Sequence, residues 1–284
     1  MDKDHATNAD VGWDDPVQGP FYLDTHIHIY ACFDQTRMLD AACEHVSRYD
    51  DGQGIGVLAL TELKEYGVFR RWRDDGGVGP WAMASHGEPS VLFARRDDGR
   101  RLIVMAGRQI VTEGRLGVLA IGVDADFEDG RPLERSVRDA KEVNALPIVS
   151  YGMGKWRGRR GQIVDEVLEA AEPGEVAFGD IGVRPTWGPP PRQFKRAAER
   201  GLTILPGSDP LIIRASESVV CSFCVRVDGC FDRMTFARDF LAQVSHLGPH
   251  APLYGDYLPS WRAMRDQMAM RVARRTLAWR GLPT

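Results

Sequence analysis

The chain has 284 residues, of which 43% are hydrophobic and 27% are charged. This composition is typical of a globular protein and excludes extensive disorder, and the length suits one large α/β domain. The formal net charge of −4 argues against a general nucleic-acid binder, which carries a basic excess. No apolar run reaches the roughly 18 residues of a membrane span. We therefore expect a cytoplasmic protein without a membrane partner.

The two ends of the chain differ in composition. Residues 1–19 are polar and acidic, unlike a secretory signal, and are predicted to form a flexible leader. Residues 20–284 are predicted to form a single domain that ends in a strand and two helices. Five cysteines, an odd number, fit reduced thiols in a cytosol. Cys221 and Cys224 form a C-x-x-C pair on a predicted strand, where residues three apart point to opposite faces, so no metal site is expected from them.

Short apolar runs alternate with helical patterns along the chain. A strand over residues 21–29 is followed by a helix over 36–49, a strand over 54–61 and an irregular segment over 70–89. Further strands are predicted over residues 91–94, 102–111, 116–123, 147–150, 175–178, 202–205 and 218–227. Further helices are predicted over residues 132–145, 161–171, 192–200, 233–245 and 260–279.

Such alternation predicts parallel strands joined by helical crossovers. We therefore expect an α/β fold, a distorted (β/α)7-type barrel with mainly parallel strands. An open, doubly wound sheet is the alternative. Its phosphate-binding glycine loop should follow the first strand, where this chain has histidines instead.

The strongest functional signal is the sequence Asp24-Thr25-His26-Ile27-His28. On a strand, positions 24, 26 and 28 share one face. The two imidazoles would then project side by side at the C-terminal mouth of a barrel, where active sites of barrels lie. Imidazole ligands favour transition metals, so we expect one or two divalent ions, zinc or manganese. A packed polar strand is the alternative, but two unpartnered histidines on a buried face would be costly.

Carboxylates follow four of the predicted strands, one of them Glu62 after the strand over residues 54–61. Asp209 follows the strand over residues 202–205 and is a candidate metal ligand or general base. Glu113 follows the strand that ends at residue 111 and is a candidate to complete the metal shell. Asp180 follows its own strand and is a second candidate base. In a parallel barrel these carboxylates would lie on the same rim as the histidines.

A glycine-spaced basic loop joins the strand over residues 147–150 to the next helix. It contains Lys155, Arg157 and Arg159. Cations and free N–H groups at a helix N-terminus bind anions, so this loop is predicted to hold a phosphate or a similar group. The alternative is a solvated run of charge.

The last helix carries an apolar stripe. Trp261, Met264, Met268 and Val272 recur at helical spacing, which is typical of a face that docks on the core.

These motifs together resemble the polymerase and histidinol phosphatase (PHP) superfamily. The resemblance rests on His26-x-His28, Thr61-Glu62, Glu113 and Gly207-Ser208-Asp209, which occur in the family's order. It implies a distorted seven-stranded barrel that holds up to three metals and hydrolyses phosphoesters. It also implies that His26, His28, Glu113 and Asp209 are metal ligands.

The chain departs from the family's pattern at three positions where a histidine is usual. These positions are Leu63, Leu211 and the segment Ser150-Tyr151-Gly152. A trinuclear cluster is therefore not expected, and a site for one or two ions is.

Two functions are compatible with this sequence. The first is a metal-dependent hydrolase, a phosphoesterase acting on an anionic small molecule, in which Asp209 or Asp180 accepts a proton from water. Lys155, Arg157 and Arg159 would neutralise the substrate. The second is a non-catalytic PHP-like module that binds an anionic ligand or a protein partner. Bound metal distinguishes the two.

Overall fold

The computed structural model describes residues 12 to 279, with side chains described to residue 272. Two mixed β-sheets pack face to face, and helices cover their outer surfaces. Within the described range the strands are β1 (Val17–Ile27), β2 (Ile55–Leu60), β3 (Gly77–Val78), β4 (Trp81–Ala84), β5 (Val91–Arg96), β6 (Arg101–Met105), β7 (Gly107–Val111), β8 (Gly117–Ile121), β9 (Leu146–Ser150), β10 (Ala177–Ile181), β11 (Ile204–Gly207), β12 (Phe223–Phe231) and β13 (Leu253–Gly255). The α-helices are α1 (Gln35–Ser47), α2 (Val68–Asp75), α3 (Leu133–Glu142), α4 (Gly158–Ala170), α5 (Arg192–Glu199), α6 (Phe236–Ser245) and α7 (Ser260–Trp279).

The larger sheet has eight strands in the order β13-β12-β1-β2-β6-β5-β4-β3, and the smaller has five in the order β11-β10-β9-β8-β7. Within the sheets, parallel pairing occurs at β1-β2, β2-β6, β9-β10 and β10-β11. The other seven neighbouring pairs are antiparallel.

The predicted mainly parallel (β/α)7-type barrel is therefore wrong. Two short connections account for much of the difference. The turn at Asp97-Asp98-Gly99 joins β5 to β6, and residues 112–116 join β7 to β8, so each connection makes an antiparallel hairpin. The single strand predicted over residues 102–111 is divided at Ala106 into β6 and β7, which belong to different sheets. The two sheets approach each other at β1 and β11 and again at the end of β2 and β7, but they remain two sheets and do not form a closed barrel.

One hydrophobic core lies between the two sheets. The larger sheet contributes Leu23, Val57 and Ile103, and the smaller sheet contributes Ile148 and Leu205. Helix α6 closes one side of this core with five apolar side chains. Helices α1 and α2 cover the outer face of the larger sheet, and α3, α4 and α5 cover that of the smaller one.

The two ends of the chain differ from the sequence prediction. Residues 1–11 of the predicted leader lie outside the described range, but Trp13 and Val17 are buried in the core between the sheets. At the other end, α7 has the predicted position but turns Ala263, Asp266 and Gln267 inward. The apolar stripe predicted to dock on the core is instead exposed to solvent at Trp261, Met264, Met268 and Val272.

Among the residues that the structure describes, no helix has both the length and the hydrophobicity needed to cross a membrane.

Candidate metal centre

The two histidines lie at the C-terminal end of β1 because a β-bulge changes the facing of the strand. On a regular strand, residues 23 and 27 would face the same side. Leu23 nevertheless belongs to the core between the sheets, whereas Ile27 belongs to the outer core under α1. The pairing of β1 with β2 shifts register between Asp24 and Ile27, which marks the bulge. His26 therefore faces inward, and Asp24 faces the outer core. The predicted common face for residues 24, 26 and 28 does not form.

Strand β11 brings Asp209 to the histidines. A Cβ atom added to Gly207 would lie 2.4 Å from the Cβ atom of His26, so only glycine allows this approach of the two backbones. The backbone N–H of Asp209 donates to the carbonyl oxygen of His26 at 2.9 Å. Asp209 has a φ of 47°, a left-handed conformation that aspartate tolerates better than most residues. This turn directs its carboxylate back toward the imidazoles.

Three potential ligand atoms converge at this point. The Nε2 atoms of His26 and His28 are 3.1 Å apart, and the Oδ1 atom of Asp209 lies 3.7 Å from the first and 3.9 Å from the second. Donor atoms around a tetrahedral ion at ~2.1 Å would lie ~3.4 Å apart. The observed separations differ from that value by a few tenths of an ångström. The chemistry and spacing of this donor set therefore fit one divalent transition-metal ion.

Burial keeps both imidazoles uncharged. It lowers the pKa of His26 to about 4, and the positive charge of Lys155 lowers it further, while a hydrogen bond to Gln109 acts in the opposite direction. Burial likewise lowers the pKa of His28 to about 4, with a further contribution from His26 and an opposing one from Asp209. A neutral imidazole has the free nitrogen lone pair that a metal ion requires.

Gln109 is a site residue that the sequence analysis missed. Its Oε1 atom lies 3.3 Å from the Nε2 atom of His26. It is directly opposite Leu119 in the β7-β8 pair, and Leu119 belongs to the core between the sheets. A polar residue in the middle of a short apolar strand was the available signal. Predicting its contact with His26 required knowing that β7 belongs to the second sheet.

Glu113 and Asp180 do not join the three convergent groups. Glu113 is exposed and lines a surface pocket beside α3 and α4. Asp180 lies on β10, where its carboxylate accepts two hydrogen bonds from Arg184, each 2.8 Å long, and one from the Tyr257 hydroxyl at 2.6 Å. Among the described side chains, Asp209 is thus the carboxylate that groups with both imidazoles.

The cationic side chains of the basic loop also lie apart from one another. Lys155 lies near enough to His26 to lower its pKa. Arg157 instead lines a pocket with Trp156 and Trp187, and Arg159 lines the pocket that contains Glu113. Lys155, Arg157 and Arg159 therefore face three different surroundings, and of these Lys155 is the cation whose charge acts on His26.

Glu62, part of the motif that carries the family resemblance, instead hydrogen-bonds to the start of α2. Its carboxylate accepts the backbone N–H groups of Val68 and Phe69 at the start of that helix and pairs with Arg108 at 3.5 Å. Such an arrangement satisfies helix-terminal donors and stabilises the helix dipole. Glu62 therefore has a structural explanation that needs no metal.

Fold and site together define an α/β protein with two mixed sheets and a candidate metal centre between them. No family model matches the chain. No curated protein matches it either. Among solved structures it is similar to PsfC from Pseudomonas syringae PB-5123, with a TM-score of 0.54 and 13% sequence identity over 91% of this chain and 99% of PsfC. A likeness at this identity shows a shared fold alone, so the PHP resemblance stays a prediction. The assignments as hydrolase and phosphoesterase gain no support from the comparisons.

Proposed function

We propose that this chain is a metal-dependent hydrolase of an anionic small molecule, with one divalent ion held by His26, His28 and Asp209. The observation that carries the proposal is the convergence of three ligand atoms, all within 4.8 Å of one another, from segments more than 180 residues apart. Two imidazoles and one carboxylate are ligands that zinc and manganese accept.

The chemistry is divided between the ion and the side chains. A bound divalent ion supplies a Lewis acid that lowers the pKa of water toward neutrality. Asp209 directs one oxygen at the imidazoles, and its side chain is 18% exposed, so solvent reaches the carboxylate that would accept a proton from water. Gln109 fixes the ring of His26. Asp180 is a weaker candidate for the base because Arg184 and Tyr257 already occupy its oxygens.

Lys155 supports an anionic substrate. Its positive charge lowers the pKa of His26, so its ammonium group lies within electrostatic range of that imidazole. A cation beside a Lewis acid stabilises the negative charge that develops during hydrolysis of an ester of phosphoric or carboxylic acid.

The test is metal analysis of protein purified without chelators or added metal. We expect about one divalent ion per chain at this centre. His26→Ala with His28→Ala should lose it, while His250→Ala, at an exposed histidine, should keep it. Hydrolysis of p-nitrophenyl phosphate and p-nitrophenyl acetate should disappear with a chelator and return with zinc or manganese.

Three other results of these measurements would argue against the proposed hydrolase or its ligands. Full metal content in the double variant would contradict the assignment of ligands. Absence of metal and of hydrolysis, with anion binding retained, would favour a non-catalytic binding module. Iron as the retained ion would argue against hydrolysis, because two histidines and one carboxylate are also the ligand set of non-haem Fe(II) oxygenases.

A further inference from the structure

The side of β1 that faces away from the metal centre carries a second group of ligand-type side chains. Asp24, Cys221 and Cys224 are all fully buried, and their ligand atoms lie within 4.8 Å of one another. The bulge in β1 turns Asp24 to this side, and a left-handed residue, Cys221 at φ 60°, precedes β12. Because Cys221 lies before the strand and not on it, the two thiols share one side of the chain.

The carboxylate of Asp24 is held in place but has capacity left. Its Oδ1 atom accepts the backbone N–H groups of His26 at 3.2 Å and Ser208 at 2.9 Å, and its Oδ2 atom accepts that of Cys221 at 2.9 Å. A carboxylate has about four lone-pair positions, so these three backbone groups do not saturate it. Among the side chains described up to residue 272, no lysine or arginine forms an ion pair with Asp24. A buried carboxylate without a cation is costly.

A second observation concerns the burial and hydrogen bonding of the Ser208 hydroxyl group. This residue is 1% exposed, and its hydroxyl oxygen makes no well-formed hydrogen bond to any described group. Its hydroxyl group lies beside the carboxylate of Asp24, where a weak hydrogen bond lowers the pKa of that group. Buried hydroxyl groups normally have a well-formed partner, and the oxygen of this one is placed to act as a neutral donor to an ion beside Asp24.

We propose that Asp24, Cys221 and Cys224 form a second cation site, for a thiophilic divalent ion of the zinc type, with the Ser208 hydroxyl as the fourth donor. Two thiols, one carboxylate and one neutral oxygen provide the four positions that zinc prefers. Binding releases the thiol protons to solvent, since thiolates are the ligands. In the structure, the Cys224 thiol donates to the carbonyl oxygen of Cys221 at 3.4 Å, and the ion takes the place of that proton.

The site would be structural. It connects β1, the end of β11 and the segment before β12, which are the segments that position His26 and Asp209. Its full burial leaves no open position for a substrate, in contrast to the centre on the other side of β1.

Cobalt(II) separates this site from the histidine centre by spectroscopy. Cobalt bound to thiolate has a strong charge-transfer band in the near ultraviolet, which histidine and carboxylate ligands do not produce. We expect this band when chelator-treated protein is titrated with Co²⁺. Cys221→Ser and Cys224→Ser should lose it, whereas Cys230→Ser, at an exposed cysteine, and His26→Ala with His28→Ala should keep it. The bound zinc should fall from about two ions to about one per chain in the cysteine variants.

A measurement on the wild-type chain covers the case in which a cysteine variant does not fold. Zinc should slow modification of Cys221 and Cys224 by iodoacetamide in mild denaturant, read by mass spectrometry of peptides. The exposed thiols of Cys32 and Cys230 serve as internal controls and should react equally with and without zinc. Absence of the charge-transfer band, or equal modification rates at Cys221 and Cys224 with and without zinc, would overturn the proposal.

Discussion

His26 and His28 are uncharged in the folded chain because they are buried, and this makes stability depend on pH. Each has a folded-state pKa of about 4, against about 6.5 in an unfolded chain. Between these values the unfolded chain binds more protons, so the free energy of unfolding falls as the pH falls. The expected slope is about 1.4 kcal/mol per pH unit for each histidine.

Asp24 acts with the opposite sign. Burial raises its pKa to about 6, so between pH 6 and pH 4 the folded chain binds its proton more readily than the unfolded chain. In metal-free protein, urea unfolding from pH 7 to pH 4 should therefore show a shallower loss of stability for His26→Gln with His28→Gln, and a steeper one for Asp24→Asn. Identical slopes in all three proteins would mean that the histidines are accessible to protons when folded.

The charge of Lys155 gives a separate prediction. A charge-assisted hydrogen bond to an anion contributes roughly 1.5–3 kcal/mol, so Lys155→Ala should weaken phosphate binding by about tenfold or more. Arg159→Ala is the matched control, because Arg159 lines a different pocket and should change the affinity little. Calorimetric titration of phosphate measures both. Equal phosphate affinities of Lys155→Ala and wild type would show that the charge of Lys155 does not contribute to anion binding.

At the scale of elements, the apolar stripe of α7 is exposed to solvent. Met268 is 57% exposed, whereas Ala263 is fully buried. Met268→Glu should change the free energy of unfolding by no more than about 0.5 kcal/mol, as exposed substitutions do. Ala263→Leu should cost roughly 1–3 kcal/mol, because the added methylenes meet a packed surface. Urea unfolding compares the two variants. A large loss in Met268→Glu would show that something covers this face in solution.

At the scale of the whole molecule, the core between the sheets couples the two halves of the fold. Phe240 of α6 is fully buried, stacks on Phe236 at 5.1 Å between ring centroids and contacts Phe21 of the larger sheet at 5.6 Å. Phe240→Ala should cost about 3–5 kcal/mol. Met234→Ala, at a residue 56% exposed, is the control.

One shared core also predicts one unfolding transition. Tryptophan fluorescence and far-ultraviolet circular dichroism should report the same urea midpoint, in wild type and in Phe240→Ala. Two separated midpoints would show that the sheets unfold independently.

The sequence by itself determined the local features. Apolar runs and helical periodicity located most strands and helices, because burial imposes a period of two or 3.6 residues on the chain. The His26-x-His28 pair was also recognisable, since two histidines on a buried strand need partners, and Asp209 was a candidate from its place after a strand. The sequence did not determine whether a strand pairs in parallel, because the pattern of burial is the same in either direction.

The tertiary structure alone decided the composition of the centre. One bulge in β1 separated Asp24 from the histidines and placed it with Cys221 and Cys224, and such a bulge adds one residue without a signature in this sequence. Likewise, the close approach of Gly207 to His26 selected Asp209, while β7 brought Gln109 and carried Glu113 away. These choices depend on which strands become neighbours, and that is settled by packing across the whole core and not by any local stretch of residues.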